Sequence, residues 1–282
     1  MKLSEMYKKR KPVISFEVFP PKPDSSLDNI YETVEKLSTL SPAYFSVTYG
    51  ASGGNRERTV EIASTIKNRF KVESLAHLTC TCTTPDDIDR YLDELDANGV
   101  ENVLALRGDV PKGMERNQAF VGYHHANELV SHITNRNSFC VASAAYPEWH
   151  FESQSPEEDI YYLKKKVDAG AEFFISQLCF DNQAFFIFLD RLRRANIHIP
   201  VSAGLMPILD PSQILRMTSL SGCSIPAALS KLMARYTDKD DFAKAGLEYA
   251  ANQYMQLYAA GVDGIHLYSM NRHSQIMQIV RQ

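Results

Sequence analysis

Hydrophobic runs of strand length recur eight times along the chain, and between them lie stretches in which apolar residues return every three or four positions. The runs are VISFEVF at 13–19, YFSVTYG at 44–50, SLAHLTC at 74–80 and NVLALRG at 102–108, then FCVASAAY at 139–146, FFISQLCF at 173–180, IPVSAGLM at 199–206 and GIHLYSM at 264–270. Near-continuous runs rich in β-branched and aromatic residues suit strands buried on both faces, as in a parallel sheet. The intervening stretches predict helices. In the first, Leu27, Ile30, Val34, Leu37 and Leu40 share one face behind a serine cap. Further helices are predicted over 56–69, 85–97, 123–134, 156–168, 182–195, 211–220 and 240–260, with an added one over 225–236. Ala97-Asn98-Gly99, Asp168-Ala169-Gly170 and Ala259-Ala260-Gly261 mark helix ends, because glycine tolerates the left-handed terminating conformation.

Strict alternation with short connections requires parallel pairing and right-handed crossovers, which leaves a doubly wound open sheet or a closed barrel. Eight units favour closure. The expected fold class is therefore α/β, a (β/α)8 TIM barrel forming one catalytic domain over residues 1–282, with the extra helix between strands seven and eight. With 44% hydrophobic and 23% charged residues, the chain can build a sizeable core. Its net charge of −4 supplies no general field for nucleic acid or an anionic membrane, so small-molecule partners are expected. No stretch approaches the roughly 18 apolar residues of a membrane span. The odd set Cys80, Cys82, Cys140, Cys179 and Cys223, in a chain too long to need staples, reads as thiols in a cytoplasmic, reducing compartment.

In such a barrel the chemistry sits at the carboxyl ends of the strands. That filter returns Glu17, Thr48, His77, Arg107, Gly108, Asp109, Tyr146, Glu148, His150, Gln177, Tyr268, Asn271 and Arg272. His77 or Gln177 alone could be a satisfied interior group, and Tyr268 a core ring with a wet tip. Glu17 stands out. Flanked by Phe16, Val18 and Phe19, its carboxyl is expected to gain proton affinity on burial and to suit general-acid work; an ion pair with Arg107 is the competing reading. Asp109 could likewise be salt-bridged to Arg107. Lys164, Lys165 and Lys166 are either a solvated helix face or a pyrophosphate grip.

Absences narrow the chemistry. No strand carries a lysine, which argues against a Schiff-base aldolase. No G-x-G-x-x-G or Walker A sequence is present, so any dinucleotide is bound without those loops. The Cys80-x-Cys82 pair near His77 matches no zinc spacing, and no metal is expected. A lyase acting on a phosphorylated substrate calls for a glycine-rich phosphate loop late in the barrel, and Met270-Asn271-Arg272-His273 is not one.

Read in order, Phe16-Glu17-Val18-Phe19-Pro20-Pro21, Ser46-Val47-Thr48-Tyr49-Gly50-Ala51, Ala76-His77-Leu78-Thr79-Cys80 and Leu106-Arg107-Gly108-Asp109 closely resemble motifs of methylenetetrahydrofolate reductases. So do Ala145-Tyr146-Pro147-Glu148, Lys166-Val167-Asp168-Ala169-Gly170-Ala171, Ser176-Gln177 and Tyr268-Ser269-Met270-Asn271-Arg272. The resemblance implies a flavoprotein barrel that reduces 5,10-methylenetetrahydrofolate to 5-methyltetrahydrofolate with hydride passed from NADH or NADPH through FAD, in one-carbon metabolism and methionine synthesis. It implies that Thr48, His77, Arg107, Gly108, Asp109, Tyr146 and His150 line FAD. Asp159, Lys165 and Lys166 are implied to reach its ribose and phosphates, and Tyr123, in the helix after strand four, is a further candidate. Glu17 is implied to be the acid that opens the folate ring at N10, with Asp109 beside the pterin. Gln177, Gln213, Tyr268 and Arg272 match positions that meet folate or the nicotinamide donor.

Two positions depart from the family pattern. Met217 stands where an aromatic packs on the substrates, and Ala228-Leu229 where a tryptophan is common, which touches donor choice more than flavin chemistry. The resemblance also leads us to expect no regulatory domain and no control by S-adenosylmethionine. The rival reading is a flavin-bearing barrel subunit reduced by a protein partner in place of NAD(P)H. Assembly into a homo-oligomer is left open.

Overall fold

All eight runs are parallel strands, joined edge to edge in chain order into a closed barrel, in the computed structural model, which describes residues 1–22, 25–49 and 56–281. Gly50 and Ala51 of the second motif lie outside the described residues. The elements in order are α1 (Leu3–Lys9), β1 (Val13–Val18), α2 (Asp28–Ser38), β2 (Tyr44–Val47), α3 (Arg56–Asn68), β3 (Glu73–Thr79), α4 (Pro85–Ala97), β4 (Asn102–Leu106), α5 (Arg116–Ala119) and α6 (Ala126–Asn135). They continue with β5 (Cys140–Ala145), α7 (Pro156–Asp168), β6 (Phe173–Leu178), α8 (Asn182–Arg194), β7 (Val201–Leu205), α9 (Pro211–Ser221), α10 (Ala227–Arg235), α11 (Lys239–Ala259), β8 (Gly264–Tyr268) and α12 (His273–Val280).

Helix starts follow local chemistry. Thr84 caps α4 by accepting the Asp87 N–H while Asp87 accepts the Thr84 N–H, and Pro85 occupies the first turn, where no N–H is needed. Ser155 caps α7 in the same position ahead of Pro156. Inward of these caps, α4 buries Ile88, Tyr91, Leu92 and Leu95, each worth about 1.5–3 kcal/mol on burial.

Several elements differ from the sequence-based expectation. The helix expected over 123–134 begins only at Ala126, because the Glu128 carboxylate accepts the N–H groups of His124 (2.7 Å) and His125 (3.0 Å) and holds His125 extended. Tyr123 therefore lies in the lead-in segment and not in the helix. α2 has Leu27 at its cap position, with the Ser26 hydroxyl accepting the Asp28 N–H, and Leu40 falls beyond its end. The terminal helices α1 and α12 were not expected. α1 plugs the base of the barrel: Leu3 and Tyr7 are buried there, and the Tyr7 hydroxyl lies 2.7 Å from Ser202 Oγ and 3.1 Å from the Tyr44 hydroxyl.

The barrel interior is layered. Leu3, Val13, Tyr44, Leu75, Leu104, Cys140 and Phe173 fill the base, while a larger apolar shell joins the outer strand faces to the helices. Above the base the inward positions turn polar. In β1 the period of two sends Ser15 and Glu17 inward between the outward Phe16 and Val18. Register then sets their neighbours: Ser15 pairs with Tyr44 and His266, and Glu17 with Ser46 and Tyr268.

Candidate active site

The end of β1 is stapled to the turn after β8. Asn271 accepts the Phe19 N–H at 3.0 Å and donates to the Phe19 carbonyl at 2.8 Å, and the backbone carbonyl of Glu17 accepts from both the N–H and the hydroxyl of Ser269. Met270 and Asn271 both adopt positive φ to make this turn, a conformation that costs a non-glycine residue roughly 1 kcal/mol or more. Exposed Arg272 stands at the N-cap position of α12 just beyond, with no side-chain cap bond.

Glu17 is 5% exposed, and its two oxygens are treated differently. Oε2 accepts the Ser46 hydroxyl at 3.1 Å and faces Nε2 of His266 and Nε2 of His77, each at 3.5 Å. Oε1 makes no hydrogen bond among the described residues. His77 Nε2 is within ion-pair distance yet lacks hydrogen-bond geometry, and is buried without another partner. Burial pulls the His77 imidazole down to about 4, so it is neutral near pH 7. The expectation that Glu17 gains proton affinity is corrected here. Burial is the largest influence and acts upward, but the hydrogen bond from His266, the charges of His77 and His266, and the Ser46 hydroxyl outweigh it and hold the carboxyl below the usual glutamate value. No Glu17–Arg107 ion pair forms.

Arg107 is instead gripped by Glu152, through Nη1 to Oε2 and through Nη2 to Oε1 at 2.9 Å, and Arg116 joins the same carboxylate at 3.2 Å. Burial and Arg107 act oppositely on Glu152: the guanidinium prevails and holds the carboxyl at about 2. Arg107 and Asp109 are set by a tight turn. Gly108 has φ +80°, and a Cβ there would stand 2.2 Å from Thr81 Oγ, which donates to the carbonyls of Arg107 (3.1 Å) and Asp109 (3.3 Å). Asp109 is exposed, and its charge acts on Tyr146, Arg107 and His150.

A second group gathers where β5 meets α7. Lys166 donates to the Ala144 carbonyl at 2.8 Å, and burial brings its ammonium from 10.5 down to about 8 despite the opposing charge of Asp159. Asp159 is itself raised by burial and accepts the His150 N–H at 3.2 Å and the Ser153 hydroxyl at 3.3 Å. The His150 ring meets Tyr146 edge-on at 4.7 Å, and its imidazole is lowered first by burial and then by Arg107. Tyr146 is pushed up to about 12 by burial and next by Asp109, with Gln177 acting the other way. Tyr268 links the groups: its hydroxyl donates to the Ser176 carbonyl at 2.7 Å, and both Glu17 and Tyr146 act on it. The space for its ring exists because a Cβ on Gly204 would meet the Tyr268 ring at 2.9 Å.

Thus Glu17, His77, Tyr268, Tyr146, Gln177, Arg107, Gly108, Asp109, His150, Asp159 and Lys166 form one connected region at the carboxyl ends of the strands. Thr48 stands at the end of β2, its N–H donating to the Val18 carbonyl at 3.2 Å. Four sequence candidates stand apart. Lys165 points outward over the exposed rings of Tyr161 and Tyr162, because one residue along a helix turns a side chain about 100° from Lys166. Tyr123 is tied through its hydroxyl to His132 at 2.6 Å, and His132 to Asp89, on the outer helices. Gln213 is engaged within the β7–α9 connection, accepting the Leu209 N–H and donating to the Pro207 carbonyl. Met217 packs half-buried on the apolar cluster formed by Met206, Ile208 and Ile214. Sequence reasoning missed Ser15, Ser46, His266 and Glu152. Alternation from Tyr268 was the available signal for His266, and alternation from Glu17 the signal for Ser15.

The family model for methylenetetrahydrofolate reductase matches residues 2–282. The chain is 35% identical over 283 residues to methylenetetrahydrofolate reductase (NADH) 1 of Arabidopsis thaliana, covering 96% of this chain and 48% of that protein. It is 34% identical over 260 residues to the 5,10-methylenetetrahydrofolate reductase of Escherichia coli K12, covering 92% of this chain and 86% of that one. The chain spans about half the length of the plant and fission-yeast relatives it matches. In fold it resembles an uncharacterized Clostridium thermocellum protein described as binding two copies of 5-methyl-5,6,7,8-tetrahydrofolic acid, with TM-score 0.69 and 14% identity over 100% of this chain and 97% of that one. At that identity the likeness is one of fold alone.

Proposed function

Since this chain belongs to the methylenetetrahydrofolate reductase family, we propose that it reduces 5,10-methylenetetrahydrofolate to 5-methyltetrahydrofolate as a cytoplasmic, FAD-dependent enzyme drawing on NADH or NADPH. The observation that carries this reading is the asymmetric Glu17: one carboxyl oxygen held by the Ser46 hydroxyl and the His266 imidazole with His77 at ion-pair distance, the other free, beside a cluster of cations suited to a dinucleotide.

The residues present fit an anionic cofactor. Arg107 offers a planar fork that the Glu152 carboxylate fills as a stand-in anion, and Lys166 adds an enclosed ammonium close to Asp159. Arg107 and Lys166 would hold the pyrophosphate, and Asp159 the ribose; Thr48, His77, Gly108, Tyr146 and His150 would line the remainder. Lys166, in place of Lys165, is the working cation of the lysine run. FAD, when bound, supplies the carrier that accepts hydride from the nicotinamide and passes it to the folate.

The chain's own part is proton management and orientation. The folate's five-membered ring opens when the carbon–N10 bond breaks, which leaves an iminium at N5, and N10 departs poorly unless protonated. Glu17 supplies that proton from its free oxygen. Asp109 holds the pterin's N–H donors and offsets the positive charge that grows on N5. Gln177 and Tyr268 border the same space and orient the substrate, while Gln213, Met217 and Arg272, farther out on the seventh and eighth connections, would meet the folate tail or the nicotinamide donor.

Anaerobic mixing of the flavin-loaded protein with NADH and separately with NADPH tests the reading. Bleaching of the flavin band by at least one, followed by its return on adding methylenetetrahydrofolate, is expected. If neither nucleotide bleaches it, the nicotinamide part of the proposal fails and reduction by a protein partner takes its place.

A further inference from the structure

Glu17 presents a difficulty as an acid: its surroundings favour the ionised carboxylate, yet it must hold a proton when the folate arrives. The barrel interior contains a group able to supply one. His266, fully buried on β8, lies with Nε2 3.5 Å from Glu17 Oε2 and 3.3 Å from Ser46 Oγ, while its Nδ1 is 2.7 Å from Ser15 Oγ. The Tyr44 ring stacks on it with centroids 6.1 Å apart, and Tyr268 meets it edge-on at 5.3 Å, so the imidazole is packed by two rings and engaged at both nitrogens. A buried polar residue held this firmly, with one end on the candidate acid, does more than fill space.

The geometry points to His266 as a positioning residue that keeps, jointly with Glu17, the one proton spent in each folate reduction, with Ser15 locking the ring so that Nε2 is the sharing end. This rests on Glu17 being the acid proposed above. The two carriers are in contact, so the one proton resides on the Glu17 carboxyl, on His266 Nε2, or between them. The shared proton crosses from His266 to the Glu17 carboxyl and on to N10 as the bond from N10 to carbon breaks, which leaves Glu17 ionised and the imidazole neutral. After product leaves, the pair regains one proton from water at the open mouth. The groups facing the pair are Ser46 and Tyr44 from β2, His77 from β3, Ser15 from β1 and Tyr268 from β8. His77 is neutral near pH 7 and both tyrosines are raised by burial, so none of these carries the exchanged proton.

The test is the pH dependence of single-turnover folate reduction by the prereduced holoenzyme. His266→Gln retains an N–H donor at the ε end but cannot carry the proton. We expect its rate to fall 10- to 100-fold below wild type at pH 7 and to recover toward pH 5, the descending limb moving down by at least one pH unit. Ser15→Ala, which leaves the imidazole in place, is expected to move the limb in the same direction by less. Flavin content and the thermal melt report whether each variant folds. A His266→Gln profile that keeps the wild-type shape overturns the proposal, as does a uniform loss at every pH, which is the signature of a purely structural residue. If Glu17→Gln itself reduces folate normally, the reading of Glu17 as acid fails first, and that outcome is distinct from either of the others.

Discussion

Titrating the apoprotein with FAD between pH 7 and pH 9 probes Lys166, the cation enclosed between β5 and α7. Burial lowers its ammonium from 10.5 to about 8 in the ligand-free protein. A pyrophosphate placed against it favours the charged form, so the complex holds the proton to higher pH than the free protein does, and binding must weaken as pH rises through the free-protein value. With a free-protein value near 8 the ammonium is roughly nine-tenths charged at pH 7 and one-tenth charged at pH 9, so affinity falls about tenfold, or about 1.4 kcal/mol. Around it, His150 is lowered from 6.5 by burial, Tyr146 stands at about 12 and Arg107 is raised from 12.5, so these three do not titrate in this window. Quenching of flavin fluorescence at constant ionic strength gives the dissociation constant at each pH. Lys166→Met is expected to bind more weakly at pH 7 and to show a flat profile up to pH 9. A wild-type affinity unchanged across the range, or an unchanged slope in Lys166→Met, would refute the assignment.

Gly108→Ala places a methyl group 2.2 Å from Thr81 Oγ at a φ of +80°, displacing the hydroxyl from two carbonyls; a loss of about 2–4 kcal/mol in denaturant unfolding is expected, from backbone strain plus two hydrogen bonds, and a change under about 0.5 kcal/mol would contradict this. Glu152→Gln removes the charge that competes for the Arg107 fork, so FAD should bind roughly three- to fivefold more tightly, in keeping with the modest worth of a part-exposed ion pair. Weaker binding in that variant would mean that the Glu152 carboxylate itself contacts the cofactor.

The barrel was legible because its signals are local. Eight apolar runs, the capping residues Thr84 and Ser155, and the prolines that follow them fix where strands and helices begin. Assignments that depend on register were harder. Ser15 and His266 are 251 positions apart, and only the pairing of β1 with β8 brings them together. Burial of Glu17 could be read from its apolar flanks, but the groups that reverse its expected shift lie on β2, β3 and β8, so the direction of its pKa could not. Lys165 and Lys166 were separable in principle: Asp159 lies seven residues, or two helical turns, before Lys166, whereas Tyr161 lies one turn before Lys165. Glu152, in the connection between β5 and α7, resembled a solvated loop carboxylate until Arg107 and Arg116 converged on it.

Glu17→Gln bears most directly on the central claim, because it keeps the size and polarity of the side chain while removing its proton. Measured in separate anaerobic half-reactions, the variant should take hydride from the nicotinamide at close to the wild-type rate and then pass it to methylenetetrahydrofolate several powers of ten more slowly. Folate reduction at the wild-type rate, with flavin fully bound, would contradict the account.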